Sequence, residues 1–255
     1  MDRKDIIKKT KTFMKGKWLS IISVMAIIWA VEFMVSILLK TNNTMALFVE
    51  SYKLMDLEVT PEYIMYMARF TTGGSFAILV SSFISSAMNA GFLMALLNSI
   101  QMNAKLRFEN VVDMIRHHFI DILIISVVSS LIFSLLLLLP IIGLFLQIVV
   151  SYMFAFAYFI LKDGRAKDGR EAIIKSVDET KGYKMDLLQL NLNYYIRPWI
   201  GYLIIFVGVF FLETAPIIAL GLLILGLLVS AWLYVLYIPY AHAATAIFYE
   251  NVKTR

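Results

Sequence analysis

Long apolar runs, each bounded by charged or turn-forming residues, dominate the chain. A hydrocarbon core about 30 Å thick takes roughly 20 apolar residues of helix. Six runs qualify: 18–39, 75–100, 119–139, 141–161, 187–212 and 216–240. The third and fourth are parted by little more than Pro140 in "LLLLLPIIGLF", where a proline turns a run too long for one span into a hairpin. "LETAPII" does the same between the fifth and sixth. The pattern predicts an all-α polytopic membrane protein, a single integral membrane domain over 1–255 with six transmembrane helices.

The polar stretches between the runs have a pattern of their own. Residues 1–17, the "NVVDMIRHHFIDILII" stretch and the 162–184 loop each place a pair of β-branched residues a few helical turns before the next span. Each predicts a short cytoplasmic amphipathic helix lying in the interface. The chain then reads either as three copies of interfacial helix plus transmembrane hairpin, or as three unrelated basic helices beside the membrane. In 162–184, Asp168 caps the helix and Glu171 is its capping-box partner. Ile173, Ile174 and Val177 form the apolar face, Glu171 and Lys175 pair at i,i+4, and Gly182 ends the helix. The external segment 40–74 starts a helix at Thr60, Pro61 and Glu62, and Gly73 and Gly74 break or bend it before span two.

Composition agrees with the pattern: 60% of the 255 residues are hydrophobic and 16% charged, where soluble domains run near 45–50% and about 25%. Charge then sets an orientation. Of the 23 basic residues, only Lys40, Lys53, Arg69 and Arg197 fall outside the 1–17 segment, the 2–3 loop, the 4–5 loop and the tail. By the positive-inside rule, both termini and the long basic loops are cytoplasmic. The net charge of +5 is therefore a property of the loops, and nucleic acid is not expected as a partner. The first apolar run is longer than the apolar core of a signal peptide and reads as a retained helix.

Chemistry-bearing motifs are scarce. There is no cysteine, which removes thiol catalysis, disulfides and cysteine-ligated metals. His117 and His118 are adjacent and face different ways on a helix; the third histidine is His242. No H-E-x-x-H, G-x-S-x-G or Walker A pattern occurs. The expectation is a non-enzyme with no cofactor and no metal site.

Charges inside spans mark functional candidates by default. Glu32 and Arg197 lie at similar distances from the basic ends of spans one and five. They read as an intramembrane ion pair, or else Arg197 sits shallower and snorkels. Asn191, Asn193, Tyr194 and Tyr195, beside Pro198, line a polar cavity or serve only as interhelical hydrogen bonds and an aromatic belt. The serines, Asn89 and Gly91 of span two read as close helix packing.

Two segments carry a family likeness. "LYIPYAHAATAIFYENVKTR" has a P-Y-x5-A-x-F-Y-E ending with Pro239, Tyr240, Phe248 and Tyr249. "EAIIKSVDETKGYKMDLLQL" has an E-A-I-x2-S-x4-K-G-x-K pattern with Ser176, Lys181 and Gly182. Together they resemble an uncharacterised family of bacterial six-span integral membrane proteins, domain of unknown function nine-seven-five. The family's Ser-Phe-Ile-Gly-Trp-like stretch is replaced here by "NYYIRPW". The resemblance implies a bacterial cytoplasmic membrane location and no particular chemistry. Within the second motif, Pro239 is expected to bend span six, with Tyr240 and Tyr249 anchored at the interface.

Two functions fit. One is a non-enzymatic membrane protein that binds lipid, an amphipathic peptide or a membrane-protein partner, in envelope protection, immunity or assembly, with anionic lipid at its cytoplasmic face. The other is a six-span permease subunit of an ABC-type exporter, which requires a separate ATPase.

Overall fold

The computed structural model describes residues 3–39, 61–137, 139, 142–211 and 213–253, with side chains described from residue 79 onward in the second stretch. The described residues are helical, without strands. Eleven helices follow in order: α1 (Arg3–Met14), α2 (Trp18–Leu38), α3 (Pro61–Gln101), α4 (Phe108–His117), α5 (Phe119–Leu137), α6 (Ile142–Met153), α7 (Ala157–Lys162), α8 (Gly169–Glu179), α9 (Lys184–Tyr195), α10 (Trp199–Phe210) and α11 (Pro216–Lys253).

Five stretches are long and apolar enough to cross a membrane: Trp18–Leu38, Leu79–Gln101, Phe119–Leu136, Phe145–Lys162 and Pro216–Lys253. The pair α9 and α10 makes a sixth if it counts as one span; the two halves meet at 59°. The break falls at Ile196–Pro198, where proline removes a donor and clashes with the preceding turn.

Several expectations change on contact with the structure. Helix α3 starts at Pro61, as its sequence asks, but runs through Gly73 and Gly74 without a break. Residues 40–60 and Pro140 lie outside the described residues. Pro239, expected to bend span six, lies inside α11, which continues through it to Lys253. A proline costs one backbone bond within a helix, and packed neighbours let membrane helices tolerate it. Conversely, the apolar run of span four is interrupted at Phe154–Phe156, between α6 and α7, where no proline or glycine stands.

The core is not evenly spread along the spans. Phe156, Phe159, Leu187, Leu190, Ala241, Ala244, Phe248 and Tyr249 pack with Ile6 and Leu97 into one buried cluster. Every one of these residues lies toward the helix ends that carry the basic loops. Elsewhere the spans present Phe206, Phe210, Ile217, Leu227 and many other large apolar residues outward, which is the arrangement a lipid-facing surface needs. The short helices bury one face each: α1 through Ile6, Thr10 and Met14, and α8 through Ala172, Ile173 and Ser176. Ile174, expected on the same face of α8 as Ile173, is instead 62% exposed.

The tightest approach joins α10 to α11. A Cβ placed on Gly201 would lie 2.4 Å from the Ser230 backbone nitrogen, and one on Gly226 would lie 2.7 Å from the Gly201 carbonyl oxygen. The two glycines thus let the helix backbones touch. The buried Ser230 hydroxyl donates across this contact to the Pro198 carbonyl at 3.2 Å, which satisfies a group left over at the break in span five.

Candidate functional site

A polar cavity lies among apolar helices α2, α3, α9 and α11. Its volume is about 410 Å³. From α2 come Met25, Ile28, Trp29 and Glu32, at helical i, i+3, i+4, i+7 spacing. From α3 come Ser85, Ser86, Asn89 and Phe92, and from α11 come Tyr234, Ile238 and His242, again one face each. Tyr195, at the end of α9, completes the wall. Ser86 shares a 2.6 Å hydrogen bond with Ser126 of α5. Ser85 is the hydroxyl neighbour of the Glu32 carboxyl. Phe92 meets the His242 ring edge to face at 5.6 Å.

A second hollow of about 340 Å³ shares the Trp29 and Tyr234 rings and is otherwise walled by Tyr202, Leu227, Ser230, Ala231 and Val235. The two rings are 6.1 Å apart and stand between a space with a carboxylate and a space that is mostly apolar.

The structure separates residues that the sequence grouped. No ion pair joins Glu32 and Arg197 among the described residues. The Arg197 guanidinium lies 4.3 Å from the centre of the Tyr237 ring, and its Nε donates to the Asn193 carbonyl at 3.3 Å. The break at Ile196–Pro198 turns Arg197 onto α11 and away from α2. Of the four residues expected to line one polar cavity, only Tyr195 faces the cavity that holds Glu32. Asn191 is buried and accepts from the Thr245 hydroxyl at 3.1 Å. Tyr194 is buried and stacks on Tyr240 at 6.1 Å. Asn193 belongs to a separate groove of about 640 Å³ between α1 and α9, with Arg3, Lys4, Ile7, Gln189, Leu190, Leu192 and Ile196.

The two family-like segments meet each other. Asp163, just after α7, accepts from Tyr249 at 3.0 Å and from the Lys253 ammonium at 2.7 Å on one oxygen. Its other oxygen accepts from Gln101, at the end of α3, at 3.0 Å. Gln101 also donates to Glu250 at 2.6 Å, and Lys162 donates to Gln101. Arg165 clamps Glu179 with two bonds of 2.5 and 3.1 Å and reaches the Tyr249 hydroxyl at 3.3 Å. Burial alone would lift the Asp163 carboxyl, but the bonds from Lys253, Gln101 and Tyr249 outweigh it and hold the group below its ordinary range. Burial likewise opposes the charge on Arg165, and the bonds to Tyr249 and Glu179 outweigh it and raise its affinity for the proton.

Tyr249, expected as an interfacial anchor, is therefore fully buried. Tyr240 is partly buried against the core. Phe248 is buried beside Tyr183 and Phe156. Lys181 pairs with Asp178 at 2.6 Å on the surface, and Gly182 takes a φ of +81° in the turn after α8, a conformation suited to glycine.

Ser176 answers the break in span four. Its hydroxyl donates to the Met153 carbonyl at 2.7 Å and accepts from the Phe156 N–H at 3.1 Å. One side chain from α8 thus satisfies two groups that the interrupted helix leaves open. At the start of α8, Asp168 accepts from the Glu171 N–H at 2.8 Å, while the Glu171 carboxylate accepts from the Lys167 N–H at 2.7 Å, one residue earlier than a capping box has it. Bonds from Lys175 and the Lys167 N–H hold Glu171 below its usual carboxylate range.

Sequence reasoning singled out Glu32 and Tyr195 but missed their setting. The signal was present in the spacing: 25, 28, 29 and 32 on one helix and 234, 238 and 242 on another each mark a single face.

No curated protein and no solved structure matches the chain. A family model described as "Protein of unknown function (DUF975)" matches residues 137–255, a segment that holds α6 to α11, Asp163, Ser176 and Tyr249 but not Glu32 or Trp29. That segment is similar to the uncharacterised family that the two motifs resemble.

Proposed function

We propose that this is a non-enzymatic membrane protein that binds an amphiphile within the bilayer. The observation that carries the reading is the cavity itself: a carboxylate, hydroxyls and an amide gathered among apolar helices, adjoining a mostly apolar hollow. Polar groups at such depth are costly to keep and serve a ligand or a pathway by default, and a cavity of this size suits a small ligand or headgroup. The groove between α1 and α9 supports a second contact with lipid. It sets Arg3 and Lys4 beside Leu190, Leu192 and Ile196, the pairing of cation and apolar floor that an anionic phospholipid fits.

In this reading the protein has six spans in a bacterial plasma membrane, with both termini and the basic loops cytoplasmic. The distribution of Lys and Arg supports that orientation. The position of α1, α4 and α8, each just ahead of a span, supports the three-hairpin repeat.

The test is thermal unfolding of the purified protein in a mild non-ionic detergent, titrated with single-chain amphiphiles of cationic, anionic, zwitterionic and neutral headgroup. At least one should raise the midpoint saturably. No effect from any of them, together with a stoichiometric ATPase in a detergent pull-down, would favour the permease subunit instead. Orientation is read separately. The chain has no cysteine, so single cysteines placed at Lys15 or Lys167 should react with a membrane-impermeant maleimide only in inverted vesicles.

A further inference from the structure

The chemistry of the cavity points to one kind of headgroup. Among the described residues, Glu32 is the only side chain on the cavity wall that carries a formal negative charge, and no lysine or arginine lines it. Arg197, the countercharge that the sequence suggests, is engaged with Tyr237 and Asn193. Three electron-rich rings, Trp29, Tyr195 and Tyr234, share the wall with that carboxylate. Aromatic faces attract cations through the ring quadrupole, and quaternary or alkylated ammonium groups are the ligands such walls take best. A carboxylate inside a low-dielectric bundle gains most from a partner of opposite charge. Beyond the Trp29–Tyr234 pair lies the hollow walled by Leu227, Ala231 and Val235, where an alkyl chain attached to that cation would be buried.

We propose that the cavity is a site for an organic ammonium ion carrying an apolar chain: the ammonium group at Glu32 against Trp29, Tyr195 and Tyr234, and the chain in the adjoining hollow. The inference rests on the amphiphile-binding reading and adds the sign of the charge and the group that recognises it. Two sources have this chemistry, an aminophospholipid of the bilayer and a free cationic amphiphile.

The experiment measures binding of radiolabelled dodecyltrimethylammonium to the full chain in nanodiscs of phosphatidylglycerol, with empty nanodiscs subtracted and dodecyl sulfate and dodecanol as competitors. Expected is saturable binding of one cation per chain, not displaced by dodecyl sulfate or dodecanol. It should weaken about tenfold or more in Glu32→Gln, which removes the carboxylate charge facing the cation in a low-dielectric site, and be kept in Glu32→Asp. Trp29→Leu should weaken it severalfold. Adding phosphatidylethanolamine to the nanodiscs separates the sources: displacement of the probe identifies a lipid headgroup, and undiminished binding identifies a free cationic amphiphile. If folded Glu32→Gln binds the cation as the wild type does, or if dodecyl sulfate competes equally, the ammonium site is overturned while amphiphile binding stands. If the cation does not bind, the ammonium site is overturned, and if in addition no amphiphile raises the unfolding midpoint in the detergent titration, the broader reading falls with it.

Discussion

Tyr249 donates its hydroxyl hydrogen to Asp163 at 3.0 Å, although 86 positions separate the two in the chain. The same hydroxyl accepts from Arg165 at 3.3 Å, so one oxygen ties α11 to both arms of the turn between α7 and α8. Tyr249→Phe removes that oxygen and leaves the ring in place. The expected cost is about 1–3 kcal/mol, that of two polar groups losing a buried partner. Thermal unfolding in detergent measures it, and an unchanged midpoint would show that Lys253 and Glu179 suffice.

Acid should loosen the same junction. The Asp163 carboxyl is held below its ordinary range in the folded protein. Its contribution is thus present above the unfolded value and lost as pH falls through the lower folded one. Unfolding midpoints of the wild type should fall on acidification below about pH 4. Asp163→Asn should be less stable at neutral pH and show a flatter acid limb. A parallel decline in both proteins would place the acid sensitivity elsewhere, for example at Glu171, whose carboxyl is also depressed.

Ser176 is expected to matter for span four, not for α8 alone. Ser176→Ala leaves the Met153 carbonyl and the Phe156 N–H without the partners they have now, at a cost of about 2 kcal/mol. Hydrogen exchange should rise at residues 154–156 more than within α8. An increase confined to α8 would count against a role for Ser176 at the break between α6 and α7.

Glycine 201 and glycine 226 set how closely α10 and α11 approach. Alanine at either position places a methyl group within 2.4–2.6 Å of a neighbouring atom, so the helices must separate. Both variants should lower folded yield and melting temperature, whereas Gly221→Ala, with open space around it, should be tolerated apart from helix-propensity effects.

Swapping the charges of Glu32 and Arg197 should not restore what the single changes lose. Their side chains have different partners, Ser85 on one side and Tyr237 on the other, so the double variant should behave as two independent lesions. Protein levels in membranes and unfolding midpoints check this; a rescue would mean that the two meet.

Spans were legible because each is a run of apolar residues long enough to cross the bilayer, a signal that needs no partner to be read. The N-cap of α8 at Asp168 was legible for the same local reason. The break before Phe156 was not, since its local sequence holds neither proline nor glycine and the bonds that stabilise it come from Ser176, some 20 positions on. Tyr249 reads as an anchor because tyrosines near a membrane boundary usually are. Only its neighbours Asp163 and Arg165, brought in by the fold, make it a buried joint. Glu32 was visible as a charge out of place, but its surroundings come from helices far apart in sequence, so a single-helix depth argument paired it with Arg197, the other misplaced charge.

Helix α11 holds Tyr234, Ile238 and His242 on the cavity wall and Tyr249, Glu250 and Lys253 in the junction with Asp163 and Gln101. It is one uninterrupted element of 38 residues, about 57 Å of rod at 1.5 Å per residue. The wall beside Glu32 and the junction with Asp163 therefore share one helix, so a change at either end is built into the same element.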